Sequence, residues 1–363
     1  MNTQQAPQWL PRVLTPFFTL SYPTDAPKNP DSYPNANYFE TGRLDACFIL
    51  TWVLVLGVLR ECLRLGVLEP FARQYLYRKD MAQLKKGAAK NGSANGHAAA
   101  NGHVRQPRPV SPSSKDLVPK RPRGMDKTTW KRERSTLRFA EQGWQIIYYL
   151  VYFPVGMYVH WGLPSAPFNL DRLWLNYPHI PLAGPVKFYY LTQLAFWFHQ
   201  VLLLNAEAHR KDHWQMMSHH AITISLVVAS YWFNFTRVGV LIMVLMDFSD
   251  IFLAGTKMAR YLRLPDAATS IIFVVFALSW VITRHALFLS VIYSAYNSAP
   301  KLIPFTWAPE RGHYLTQNAY IGFNVLMVSL QVILCAWGYT ILAIIWNVIS
   351  GQPPDDTRSD EER

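Results

Sequence analysis

Ionisable side chains interrupt several apolar stretches of this chain. His219 and His220 close the run His213-Trp214-Gln215-Met216-Met217-Ser218-His219-His220, and Asp247 and Asp250 frame Asp247-Phe248-Ser249-Asp250. His199 sits in Trp197-Phe198-His199-Gln200, and Arg284 and His285 lie together further on. Imidazole beside carboxylate is proton-transfer chemistry. A carboxylate bonded to one ring nitrogen fixes the tautomer and stabilises the imidazolium. The ring then takes a proton from an incoming nucleophile, or attacks an activated carbonyl itself. The ordinary alternative is hydrogen bonding between helices. That alternative suits His199 alone best, and the two His with the two Asp least.

The elements that must carry these groups are membrane helices. The chain has 363 residues, 50% hydrophobic and 16% charged, whereas soluble proteins carry about a quarter charged residues. An ordinary soluble enzyme and a wholly disordered chain are both excluded. A spanning helix needs roughly 17–25 mainly apolar residues. Seven segments qualify, at 44–59, 139–163, 185–204, 214–233, 238–256, 267–293 and 319–349. The fold class expected is an all-α membrane protein of about seven transmembrane helices. At about 1.5 Å rise per residue, His219, Asp250 and His199 each lie roughly 9–10 Å below the same membrane face. Asp247 and Asp250 are spaced to share a helix face. His219 and His220 point about 100° apart, so only one readily faces a given point. Arg284 and His285 fall about 17 residues along the sixth segment, which reads as nearer the opposite face. The aromatics Trp197, Trp214 and Trp232 read first as lipid-facing or core residues.

Charge sets the orientation. Residues 60–138 hold 19 Lys/Arg against 6 Asp/Glu, and cytosolic loops are the Lys/Arg-rich ones. The expected layout is a lumenal segment at 1–43, a first span at 44–59 and a cytosolic basic loop at 60–138. Six spans follow at 139–349, then an acidic cytosolic tail at 350–363. The Gly/Ala/Asn/Pro-rich stretch at 79–123 reads as a disordered linker, suited to electrostatic contact with anionic lipid rather than to nucleic acid. Arg210, Lys211, Lys257, Arg260 and Arg263 ring the predicted cytosolic mouth, placed to hold an anionic substrate. The positive-inside bias explains each of them equally well. His209 and His213 do not complete a histidine box, so no metal is expected. Three cysteines form no disulfide framework, and the polar, Pro-rich start does not look like a signal peptide. Neither sequon, at Asn91 and Asn234, is expected to be glycosylated. Ser359 in the acidic tail is a candidate phosphorylation site.

The run Arg210-Lys211-Asp212-His213-Trp214-Gln215 through His219-His220, then Asp247-x-Ser249-Asp250 and Lys257-Met258, resembles the signature region of ceramide synthases. The resemblance extends from about Arg134 to Trp346, including Thr283-Arg284 and the Gln331…Trp337 pattern. These are the TLC-domain sphingosine N-acyltransferases of the endoplasmic reticulum, and the chain looks like their fungal branch. The resemblance implies acyl transfer from a fatty acyl-CoA to the amine of a long-chain sphingoid base. It implies six helices forming a barrel around a lipid cavity, with His219, His220, Asp247 and Asp250 as the catalytic set. His199, Trp197, Gln200 and Arg284 join the five rim cations as candidate substrate contacts. No cofactor is implied beyond acyl-CoA as co-substrate. A small single-span accessory subunit and a homo- or heterodimer are the implied protein partners. The rival reading is a non-catalytic TLC-domain lipid sensor, carrier or translocon-associated protein, and such relatives lack the paired His and Asp.

Overall fold

The computed structural model describes residues 9–28, 30–92, 126–206 and 212–350. Helices dominate them. Helix α1 (Asp45–Leu63) runs through a π turn (Arg64–Leu68) into α2 (Glu69–Gly92). Then come α3 (Lys127–Trp161), α4 (Gly184–Ala206), α5 (His213–Trp232) and α6 (Thr236–Tyr261). Helix α7 (Asp266–Trp280) passes through a second π turn (Val281–Leu287) into α8 (Phe288–Asn297), and α9 (Gln317–Ile349) is the last. Four of these helical rods are long and apolar enough to cross a membrane: Asp45–Lys86, Thr236–Tyr261, Asp266–Leu302 and Gln317–Asn347. The protein is therefore a multi-pass membrane protein.

Residues 60–92 and 127–138 are not loop, as their charge suggested, but helix. Charged residues at 60–92 alternate with buried Leu68, Ala72 and Leu76, the first two packed with Phe139 and Ala140 of α3. A helix with one apolar stripe forms as readily outside the bilayer as within it. Asp126 starts α3 as its N-cap, accepting from the backbone N–H of Thr128 at 3.0 Å and Thr129 at 3.3 Å. Capping of this kind satisfies otherwise orphaned donors. The remainder of the predicted linker, the tail with Ser359, and Arg210 and Lys211 lie outside the described residues.

Helices α3, α4 and α6 approach closely because of two glycines. A Cβ on Gly156 of α3 would lie 2.6 Å from the Tyr189 hydroxyl and 2.8 Å from Val244. One on Gly239 of α6 would lie 1.5 Å from the Tyr190 hydroxyl. Small residues let helix backbones meet where no water drives association. One apolar core joins α1, α3, α4 and α6, and a second joins α6, α7, α8 and α9.

The segments between helices on the predicted lumenal side form a cap. Strands β1 (Pro23–Thr24), β2 (Tyr38–Phe39) and β3 (Leu182–Ala183) make a small antiparallel sheet, Tyr38 opposite both Thr24 and Ala183. Beneath it Lys187, 0% exposed, pairs with Asp45 at 2.8 Å and donates to the carbonyls of Ser21 and Glu40. Tyr231 donates to the other Asp45 oxygen at 2.7 Å. Arg237 pairs with Asp31 and donates to the carbonyls of Arg172 and Leu175 at 3.1 Å. Lys187 and Arg237 are thus internal cations, the first paired with Asp45 at the start of α1 and the second with Asp31 of the N-terminal segment. Asn234 is buried too, its amide donating to the Gly312 carbonyl at 2.8 Å.

Candidate active site

Helices α5, α6 and α9 and the π turn after α7 line one cavity of about 90 Å³. Its polar end is lined by Trp197, His219, Asp247, Asp250 and Arg284. The rest is apolar, running past Met243 and Leu330 to Trp174, Phe235, Ala295, Ala299 and Leu315 under the cap. A polar head with an apolar shaft suits a molecule of the same build.

Each polar group is held from its own helix. Asp247, 2% exposed, accepts from Gln193 of α4 at 2.6 Å. Gln193 is itself fixed, donating to the Tyr189 hydroxyl and accepting from Tyr148, both at 3.1 Å. Asp250 accepts from Arg284 at 2.6 Å. The same guanidinium, 3% exposed, donates to Ser249 Oγ at 2.8 Å and to the Met246 carbonyl at 3.0 Å, and lies 4.3 Å over the Trp280 ring. The two carboxylates of one helix therefore have different tasks. Asp247 faces a neutral amide, and Asp250 a cation.

The two histidines also part company. His220 Nδ1–H donates to the Met216 carbonyl at 2.7 Å, which fixes its tautomer, and His220 does not line the cavity. His219 does line it. The His219 ring stands edge-on between Trp197 at 5.8 Å and Trp337 at 5.1 Å, and its Nδ1 is buried without a partner. Among the described residues no hydrogen bond joins His219 to Asp247 or Asp250. In place of the expected carboxylate–imidazole bond, Asp247 accepts from Gln193 and Asp250 from Arg284, donors that come from facing elements.

Other expectations shift with the tertiary contacts. Arg284 does not sit apart toward the far face. The π turn widens the helix at Val281–Leu287, and the long side chain reaches Asp250. Such turns occur often at functional sites. His199 turns away from the cavity, its ring 6.1 Å from Trp144 of α3, and Gln200 does not line the cavity either. Of the rim cations, Arg263 is engaged by Asp80 at 2.8 Å, which Arg132 also approaches at 3.6 Å. Lys79 donates to the Arg263 carbonyl. Arg263 thus ties α2 to the α6–α7 turn rather than offering a free charge. Lys257 and Arg260 stand on the last turns of α6. Sequence reading missed Gln193, whose only signal is one amide in the apolar run Tyr189-Tyr190-Leu191-Thr192-Gln193-Leu194. It also missed Trp280, and it named Trp337 only as part of a pattern and not as a neighbour of His219, because ring type alone says nothing of position. Among the described residues His, Cys, Asp and Glu do not gather in threes as a metal would need.

The fold and the cavity define a class. A model of the TLC domain matches residues 138–343, and the chain belongs to the TLC-domain family. It is 36% identical over 238 residues to sphingosine N-acyltransferase lag1 of Schizosaccharomyces pombe, covering 64% of this chain and 59% of that one. It is 29% identical over 355 residues to ceramide synthase FUM18 of Gibberella moniliformis, covering 91% and 70%. Over 227 residues it is 34% identical to ceramide synthase 5 of Mus musculus, covering 62% and 52%. The chain spans little more than half the length of two of these three relatives.

Proposed function

We propose that the protein is a ceramide synthase, an acyltransferase joining the acyl group of a fatty acyl-CoA to the amine of a long-chain sphingoid base. The observation that carries the reading is the convergence of His219, Asp247, Asp250 and Arg284 at the polar end of an apolar cavity. The names of the relatives support it. On this reading seven helices cross the endoplasmic reticulum membrane, the N-terminus is lumenal and the C-terminus cytosolic. The last six form a barrel around the cavity. The alkyl chain lies along the apolar shaft, and the thioester stands at His219.

A thioester is already activated, so the reaction needs no metal and no cofactor beyond the acyl-CoA itself. The sphingoid amine must lose a proton to attack. His219 supplies the base: its ring faces the cavity, and neither carboxylate competes for its nitrogens. His220 supports it through the Trp197 ring that both histidines contact. Asp247 and Asp250 orient and polarise the polar end, Asp247 through Gln193 and Asp250 through Arg284. Burial excludes water, which protects the thioester from hydrolysis. At the cytosolic mouth, Arg210, Lys211, Lys257 and Arg260 attract the CoA phosphates. Arg263 is assigned to the Asp80 tether instead. A single-span accessory subunit and a second acyltransferase chain are the partners this reading expects, along with membrane lipid.

The test is intact-protein mass spectrometry and product analysis on purified protein, given acyl-CoA and then a long-chain base, with His219→Ala in parallel. Amide formed by wild type and lost in the variant supports the reading. An acyl-sized mass gain on wild type, absent in the variant and discharged by the base, assigns His219 as the acyl carrier as well. No amide from folded wild-type protein across a series of acyl-chain lengths, with the accessory subunit supplied, overturns it in favour of a lipid sensor or carrier.

A further inference from the structure

Around His219 the indoles of Trp197, Trp280 and Trp337 each bury an Nε1 without a hydrogen-bond partner, and of these three only Trp197 lines the cavity. Trp197 is 8% exposed, lines the polar end of the cavity, and its indole Nε1 is buried without a hydrogen-bond partner. At the other end of the same cavity Trp174 donates its indole N–H to Ser294 Oγ at 2.8 Å. An unmet buried N–H is destabilising, so one kept at the cavity wall beside a proton acceptor points to a ligand atom. That atom must be an acceptor. The Trp197 ring stands edge-on to His219 at 5.8 Å and to His220 at 5.5 Å. Trp197 and His219 therefore border the same end of the cavity. Arg284 commits its Nε and Nη2 to Ser249, the Met246 carbonyl and Asp250.

We infer that Trp197 is a catalytic residue whose indole N–H stabilises the oxyanion of the acyl transfer. The inference rests on the acyltransferase reading above. The amine nitrogen attacks the thioester carbonyl carbon, a C–N bond forms, and the C=O π pair moves onto oxygen. Trp197 donates to that oxygen. The nitrogen's proton passes to His219. The oxygen pair then reforms C=O, the C–S bond breaks with its electrons on sulfur, and His219 returns the proton to the CoA thiolate. The products are an amide and a thiol, and His219 ends as it began. A donor aimed at developing charge stabilises the transition state more than the ground state, so it acts on kcat rather than on KM.

The experiment compares wild type, Trp197→Phe, and protein carrying benzothienylalanine at 197, in which sulfur replaces the N–H and the bicyclic shape is kept. Amide formation from acyl-CoA and sphingoid base is measured at saturating and limiting substrate. Loss of one oxyanion donor predicts a fall in kcat of roughly 10²–10³-fold in both altered proteins, with KM within about threefold of wild type. The benzothienylalanine protein decides the matter if Trp197→Phe fails to fold. Altered proteins with kcat within threefold of an active wild type overturn the inference and leave the acyltransferase reading standing. A fall only in the Phe variant overturns it too, since ring volume and not the N–H would then be at work. An inactive, folded wild type rejects the acyltransferase reading itself.

Discussion

Arg284 and Asp250 meet at 2.6 Å across two helices, 34 residues apart in sequence, at the polar end of the cavity. The pair is buried, and the guanidinium also caps Ser249 and the Met246 carbonyl, so it locks the π turn to α6. Removing one partner of a buried ion pair leaves an uncompensated charge, costing about 3–5 kcal/mol. Arg284→Met is expected to lower thermal stability in detergent and to abolish activity. Arg284→Met with Asp250→Asn restores much of the stability and none of the activity. Recovery of both would show that the pair is scaffolding only.

The two histidines face different surroundings and are expected to differ on substitution. His219→Ala removes the ring that lines the cavity, and loss of a general base costs about 10²–10⁴-fold in rate. His220→Ala removes a ring tied back to Met216, and a milder loss is expected. Steady-state rates of both variants, at matched protein content, check the order. Equal losses would make the two rings one functional unit.

Gln193 is expected to matter although it does not line the cavity. It donates the hydrogen bond that holds buried Asp247, and leaving a buried acceptor unsatisfied costs about 1–3 kcal/mol. Gln193→Leu should cost roughly ten- to a hundredfold in kcat by that measure. Gln193→Glu sets a second carboxylate against the first and should be worse. A Leu variant as active as wild type would remove Gln193 from the site.

Lys187 and Asp45 join α4 to the start of α1 in a site with no exposure at the ammonium. Lys187→Met should destabilise the protein by about 3–5 kcal/mol while leaving the cavity's polar end untouched. Thermal unfolding should fall steeply, and the activity of the folded fraction at low temperature should persist. A normal melting profile would contradict the pairing.

His179 gives the cap a pH dependence. Burial, with Arg237 nearby, pushes its pKa down to about 3, from an ordinary value near 6.5. The unfolded chain then binds a proton that the native cap refuses. The neutral ring's contribution is complete above about pH 6.5 and is lost as pH falls toward 3, by up to about 1.4 kcal/mol per pH unit. Protease resistance of the predicted lumenal segments should drop between pH 7 and 5, and His179→Phe should flatten that drop. An unchanged slope in the variant would assign it to other groups.

The helices that carry the site were legible because each is an apolar run interrupted by few charges, and hydrophobic length is a local property. Counting the fixed rise per residue set His219 and Asp250 at one expected level, and both line the same end of the cavity. The helical state of residues 60–92 was not legible. Charge dominates their composition, and the apolar stripe that buries Leu68 and Ala72 gains its meaning only from α3.

Which polar group meets which was beyond the sequence. Composition and spacing determined a membrane-embedded helical protein with His and Asp pairs at one expected depth. Only the tertiary structure decided that His219 faces the cavity and His220 does not, that Arg284 belongs with Asp250, and that Gln193 holds Asp247. It also decided that His199 faces α3, and that Arg263 serves Asp80. The physical reason is that depth follows from counting along one helix. A partner follows from the rotation and closeness of two, set here by Gly156, Gly239 and a π turn whose effects appear only when the helices pack.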